Sequence, residues 1–166
     1  EAFTILENKN VDYILNLQGD EPLIDSEDIN KFTKKITELQ LDIGTLASKI
    51  NIDSKYIDEN IVKIKTEKEL NFDNVSLAID FFRKKEKFDK VNVYHHIGIY
   101  LYKTKILEKI VSLKQSEKEK NLRLEQLRAM ENNVNIYSAL SKFSPIGVDT
   151  KEDYEKVKNL LETKNI

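Results

Sequence analysis

The sequence has no cysteine and no tryptophan, and only four glycines, two prolines and one methionine in 166 residues. Without cysteine there is no disulfide, no thiolate metal site and no cysteine nucleophile, so a metal here needs oxygen or imidazole ligands. That absence suits a reducing compartment, and a cytoplasmic protein is expected. No stretch approaches the roughly 20 apolar residues of a membrane helix. The longest run, Ile97-Gly98-Ile99-Tyr100-Leu101-Tyr102, is strand-sized, so no membrane insertion is expected. Charge of one sign is also missing: 27 Lys and Arg against 29 Asp and Glu leave a net charge of -2. Nothing draws the whole chain to nucleic acid or to an anionic membrane, and any polyanion must be met locally. What is present, 40% hydrophobic and 34% charged residues, fits a single α/β or α+β domain over residues 1–166. The start at Glu1, with no basic segment ahead of an apolar one and a helix-like Ala2, Phe3, Ile5, Leu6 pattern, reads as a fragment that begins inside an element.

Along the chain, Tyr13-Ile14-Leu15-Asn16-Leu17 is a short β-favouring run, stopped by Gln18-Gly19-Asp20-Glu21-Pro22. Ser26 then precedes two acids, and Ile29, Phe32, Ile36 and Leu39 recur at helical spacing. Three strands follow, Ile43-Gly44-Thr45-Leu46-Ala47, Ile61-Val62-Lys63-Ile64 and Leu77-Ala78-Ile79-Asp80-Phe81-Phe82. Residues 84–90 are charged and read as a mobile loop. Residues 92–102 form the clearest strand, with Val93, His95, Ile97, Ile99 and Leu101 on an aliphatic face and Tyr94, His96, Gly98, Tyr100 and Tyr102 on a polar-aromatic one. Helices are predicted around Ile106, Leu107, Ile110 and Val111, and over 116–132; Val134 to Leu140 is a last strand. Thr150 and Asp153 then make a capping-box-like pair ahead of a terminal helix through Tyr154, Val157, Leu160 and Leu161. Alternating helices and strands predict an α/β fold, a mostly parallel (mixed) sheet with flanking helices.

No Walker-type glycine loop, G-x-G-x-x-G, H-E-x-x-H or G-x-S-x-G is present. The strongest local feature is the Gln18 to Pro22 segment, because ligands of open α/β sheets bind outside the carboxyl ends of strands. Asp20 is a hard oxygen ligand and Gly19 permits close backbone approach, although a plain turn accounts for Gly19 and Pro22 equally. In Gly147-Val148-Asp149-Thr150, capping explains Thr150 and leaves Asp149 over. Were Asp20 and Asp149 to converge, two carboxylates with open octahedral positions would suit Mg²⁺; spacing alone does not bring them together. On the polar-aromatic strand face, His96 and Tyr100 project to one side, about 13 Å apart at roughly 3.3 Å per residue, with Gly98 between them as a floor for a small polyol. A histidine on a strand is more commonly structural, and His95 is read so. Glu125 and Arg128, one turn apart, would pair on a solvated face.

These segments, with Val62-Lys63 and Leu124-Glu125-Gln126-Leu127-Arg128, occur in the order and spacing of the bacterial 3-deoxy-manno-octulosonate (KDO) cytidylyltransferases, or CMP-KDO synthetases. The chain resembles that family from about Asp12 to its end. The resemblance implies a Rossmann-like nucleotide-diphospho-sugar transferase fold truncated at the N-terminus, the family's first strand and basic triphosphate loop lying ahead of Glu1. It implies transfer of CMP from CTP to the 2-hydroxyl of KDO for lipopolysaccharide core synthesis. It places Mg²⁺ on Asp20 and Asp149, and lines the sugar pocket with Gln18, Arg83, His96, Tyr100, Glu125 and Gln126. It further implies a homodimer formed through residues 84–132, with the fragment by itself inactive. Two other readings stand beside it. One is a non-catalytic homologue that binds sugar or dimerises; the other is a cytidylyltransferase for 8-amino-KDO or another nonulosonic acid.

Overall fold

The computed structural model describes residues 11–51, 53–84, 89–142, 144, 146–148 and 150–164. The helix-like pattern at Ala2 to Leu6, most of the expected loop at 84–90, and Asp149 lie outside the described residues. Within them, six strands form one mixed sheet: β1 Tyr13–Asn16, β2 Ile43–Ser48, β3 Lys63–Thr66, β4 Val75–Phe82, β5 Val93–Lys103 and β6 Ile136–Leu140. Their order is β1-β5-β2-β6-β4-β3, and β3 pairs back onto β5. The second predicted strand is shifted, starting at Lys63 instead of Ile61.

The sheet is mixed as expected, but parallel in direction more than in pairing. Only β2 and β6 pair in parallel; the other described pairs are antiparallel. β1, β2, β3 and β6 nevertheless share one direction. The reversed strands β4 and β5 are interleaved among them, so nearly every neighbour is antiparallel. Helical periodicity between strands reports crossovers; it does not report which strand slips between two parallel ones.

Helix α1, Ser26–Glu38, starts one residue earlier than Ser26 would suggest as a cap: the Asp25 carboxylate accepts the Glu27 N–H at 2.8 Å. Its Phe32 and Ile36 are buried against β2, and the approach depends on Gly44. A Cβ there would lie 2.7 Å from Phe32 Cε2 and 2.8 Å from Ile36 Cδ1. Asp28, itself buried, accepts from Ser141 Oγ at 2.7 Å and Lys142 N at 2.8 Å, tying α1 to the end of β6. Short helix α2 covers Ser54–Ile57, and α3 covers Thr104–Ser112 directly after β5.

The single helix expected over 116–132 is two, α4 Glu117–Leu122 and α5 Gln126–Glu131. Arg123 sits between them in the left-handed region, φ 52° and ψ 51°, a conformation its sequence does not advertise, since glycine and asparagine are the usual occupants. The reversal lets buried Glu119 on α4 meet Arg128 on α5, with Arg128 Nε donating to Glu119 Oε2 at 2.8 Å and Nη2 donating to Oε1. Arg128 therefore pairs with Glu119 and not, as expected, with Glu125. α4 carries a full capping box between Ser116 and Glu119. The terminal helix α6, Lys151–Lys164, has the predicted Thr150–Asp153 box, the Asp153 N–H donating to Thr150 Oγ1 at 3.2 Å. Of its apolar residues Val157 is buried, while Tyr154, Leu160 and Leu161 are exposed.

Two cores lie on opposite faces of the sheet. One packs Phe32 and Ile36 on Leu46, Ile97, Ile99 and Leu101. The other packs Leu124, Leu127 and Ala129 on Ile64, Phe81, Tyr94, Tyr100 and Ile136. The predicted alternation of β5 is thus observed, with both of its faces covered.

Candidate active site at the aromatic face of β5

The loop after β1 folds back over the sheet. Gly19 has no neighbour within 4 Å of where a Cβ would stand and no positive φ, so neither packing nor backbone conformation requires glycine there. Gln18 reaches onto β5: a Cβ on Gly98 would meet Gln18 Oε1 at 3.2 Å and Cδ at 3.7 Å. Glycine at 98 therefore leaves room for the Gln18 amide on the strand face that also carries His96 and Tyr100.

His96 and Tyr100 are closer than strand spacing predicts. Their ring centroids are 5.4 Å apart, and Tyr100 stacks on Tyr102 at 5.6 Å and 21°. The Cα rise overestimates the gap because the side chains lean together and the β2–β5 register shifts at this point. Phe81 closes the other end, edge-on to His96 at 5.1 Å. The face is buried and not an open floor, with His96 8% and Tyr100 7% exposed.

Burial dominates the electrostatics. It lowers the pKa of His96 to about 3, with His95 adding to the effect, so the His96 ring is neutral at physiological pH. His95 is lowered to about 4 by burial, Lys55 and Lys63, and its Nδ1 bonds Ser144 Oγ at 2.7 Å, a structural role as expected. The Tyr100 hydroxyl is pushed well up, by burial first and then by Tyr102 and Glu125. Glu125 therefore stands close enough to this face to be felt there, although it is exposed and makes no capping bond to α5. Among the described residues the buried Tyr100 hydroxyl has no hydrogen-bond partner. Such a group is expected to meet water or a ligand.

The remaining expected site residues are dispersed. Gln126 opens α5. Arg83 follows β4 and donates through Nη1 to Asn60 O at 3.1 Å and Glu59 O at 3.3 Å. Beside it lies a cation that sequence reasoning left without a role: Lys63, buried, gives its ammonium to Asp58 O and Ile61 O, both at 2.7 Å. The carbonyls of residues 58–61 thus hold two adjacent cations, and burial together with Arg83 lowers the Lys63 pKa. Asp20 is exposed and its carboxylate bonds no described group, but its carbonyl accepts the Val148 N–H at 2.8 Å. The loop after β1 therefore meets Val148, whose neighbour in sequence, Asp149, lies outside the described residues. No group of three or more metal-ligating side chains occurs among the described residues. Thr45 and Tyr102 were also missed. A lone polar residue inside the apolar run Ile43-Gly44-Thr45-Leu46-Ala47 was the signal for Thr45, since a buried hydroxyl needs partners.

An apo UDP-glucose pyrophosphorylase shares this fold, matching 98% of this chain and 57% of its own with TM-score 0.71 and 14% identity, a likeness of fold alone. A CMP:2-keto-3-deoxy-manno-octonic acid synthetase complexed with CTP matches at TM-score 0.84 and 27% identity, over 98% of this chain and 67% of that one. The cytidylyltransferase family matches residues 1–136, and the chain belongs to that family. The 3-deoxy-manno-octulosonate cytidylyltransferase of Bartonella henselae is 39% identical over 162 residues, covering 97% of this chain and 66% of the relative. Those of Thermodesulfovibrio yellowstonii and Rickettsia prowazekii are 38% and 37% identical, covering 90% and 94% of this chain. The chain spans 60 to 66% of the length of these three relatives.

Proposed function

We propose that this chain supplies the sugar pocket and the metal carboxylates of a CMP-KDO synthetase, which joins CMP from CTP to the 2-hydroxyl of KDO and releases pyrophosphate. The single observation that carries the proposal is the Tyr100 hydroxyl, buried without a described partner on the face that Gln18 and His96 share. A polyol sugar offers the hydroxyls such a group lacks. In the proposed pocket Gln18, His96, Tyr100, Glu125 and Gln126 bind sugar hydroxyls. Arg83 takes the sugar carboxylate in a charge-assisted bond.

In the transfer, the sugar C2 oxygen attacks the α-phosphorus, the bond to the β-phosphate breaks and pyrophosphate departs with the electron pair. The hydroxyl proton passes to water. Two anions must be brought together in line, so the residues of this chain act chiefly by binding and orientation. A divalent cation fits the donors present. Asp20 is a hard oxygen ligand with an uncommitted carboxylate, and Asp149 follows the residue that bonds its backbone. Asp20 and Asp149 would hold Mg²⁺, which when bound screens phosphate charge and favours the ionised hydroxyl. The same proposal includes a cytoplasmic homodimer built through residues 84–132.

The test is pyrophosphate release by the full-length protein with CTP, Mg²⁺ and a panel of 2-keto sugars. Release with KDO is expected. Release only with 8-amino-KDO or a sialic acid would move the substrate, and KDO binding without any release would leave a non-catalytic sugar-binding homologue.

A further inference from the structure

Thr45 is fully buried on β2 at the point where the register against β5 jumps, from Thr45 opposite Tyr100 to Leu46 opposite Ile97. Gly98 and Ile99 thus face no β2 residue. The Thr45 hydroxyl answers the disruption: Oγ1 donates to Ile99 O at 2.9 Å and Ile97 O at 3.2 Å. The same oxygen lies 3.0 Å from His96 Nε2. A hydroxyl has one proton, and here two carbonyls, which can only accept, compete for it. Toward the imidazole Thr45 is therefore the acceptor, and Nε2 must carry the hydrogen.

We propose that Thr45 is a positioning residue which fixes His96 as the Nε2–H tautomer, so that Nδ1 is presented to the sugar as a hydrogen-bond acceptor for one of its hydroxyls. The ring is neutral, because burial holds its pKa near 3. A neutral imidazole has one donor and one acceptor nitrogen, and fixing one fixes the other. Among the described residues nothing bonds His96 Nδ1. Phe81 and Tyr100, packed on the ring at 5.1 and 5.4 Å, hold its plane. An Nδ1–H ring would set donor against donor wherever the pocket offers a sugar hydroxyl its other donors, and would leave Thr45 Oγ1 facing a lone pair. The role of Thr45 rests on the proposed sugar pocket; the tautomer does not.

The experiment is nitrogen-detected NMR of ¹⁵N-histidine-labelled full-length protein without ligand, with the His96 signal identified by its loss in His96→Gln. His96 is expected as the Nε2–H form, unchanged in Thr45→Ser. In Thr45→Val the signal is expected to shift toward the other tautomer, with apparent KM for KDO raised about fivefold to tenfold and KM for CTP unchanged. Thr45→Ser restores the wild-type KM. An Nδ1–H form in the wild type overturns the proposal. So does a Thr45→Val protein whose tautomer changes while its KM for KDO does not. If Thr45→Val does not fold, the wild-type tautomer and the Thr45→Ser kinetics still decide. Wild-type protein inert toward KDO defeats the functional proposal, while the ligand-free tautomer still decides whether Thr45 sets the ring.

Discussion

The two faces of β5 are both covered and chemically opposite. Ile97, Ile99 and Leu101 pack on Phe32 and Ile36 with no polar atom to satisfy. His96, Tyr100 and Tyr102 form a contiguous aromatic row whose polar atoms are only partly answered: Thr45 bonds His96 Nε2, and nothing described bonds the Tyr100 hydroxyl. A face built for stability leaves nothing unpaired, since a buried unpaired polar group costs about 1–3 kcal/mol. Both faces are packed, but only the aromatic one keeps a polar atom unanswered, and that is the face on which the sugar is proposed to bind.

That contrast is broken or sharpened by substitution. The largest effect is expected next to the aromatic face, in the loop that follows β1: Asp20→Asn should cut CMP transfer by orders of magnitude with little change in melting temperature, because its exposed carboxylate bonds nothing described. Pyrophosphate release and thermal unfolding check it together. On the aliphatic face, Ile99→Ala should cost about 2–5 kcal/mol in denaturant unfolding while leaving the KM ratio of the two substrates alone. Gly44→Ala should also destabilise, since Phe32 and Ile36 leave no room for its methyl. A smaller effect is expected from Tyr100→Phe, which should weaken KDO binding without lowering the melting temperature, because the hydroxyl it removes has no described partner.

A separate effect, on stability and not on substrate binding, is expected in pH. His95 and His96 have folded pKa values of about 4 and about 3, below the ordinary 6.5. The folded state therefore binds fewer protons than the unfolded one between those values. Stability should fall as pH drops below about 6.5, by at most about 1.4 kcal/mol per pH unit for each histidine, and be fully present above it. Unfolding curves between pH 7 and 5 check this, and His96→Gln should flatten the slope.

Much of this was legible in the sequence for a physical reason. Period-two alternation in β5 reports side-chain direction, and it correctly separated Ile97 and Ile99 from His96 and Tyr100. Gly98 between them was expected as an open floor for a polyol, whereas the Gln18 amide lies over it. Long-range facts were not legible. Strand order depends on which strand intervenes, so a sheet whose strands mostly share a direction turned out to pair almost wholly antiparallel. Arg123 breaks a helix without glycine because the Glu119–Arg128 pair rewards the reversal. The His96–Tyr100 separation failed because a Cα rise does not describe rings that lean together. Thr45, hidden in an apolar run, showed its role only once Ile97 O, Ile99 O and His96 were placed around it.

The most direct test of the aromatic face as the sugar pocket is steady-state kinetics of full-length His96→Ala, with each substrate varied at saturation of the other. Apparent KM for KDO should rise about tenfold, the loss of roughly one hydrogen bond, while KM for CTP stays within about twofold. Equal changes in both, or none in either, would contradict a sugar-binding role for this face and return it to packing alone.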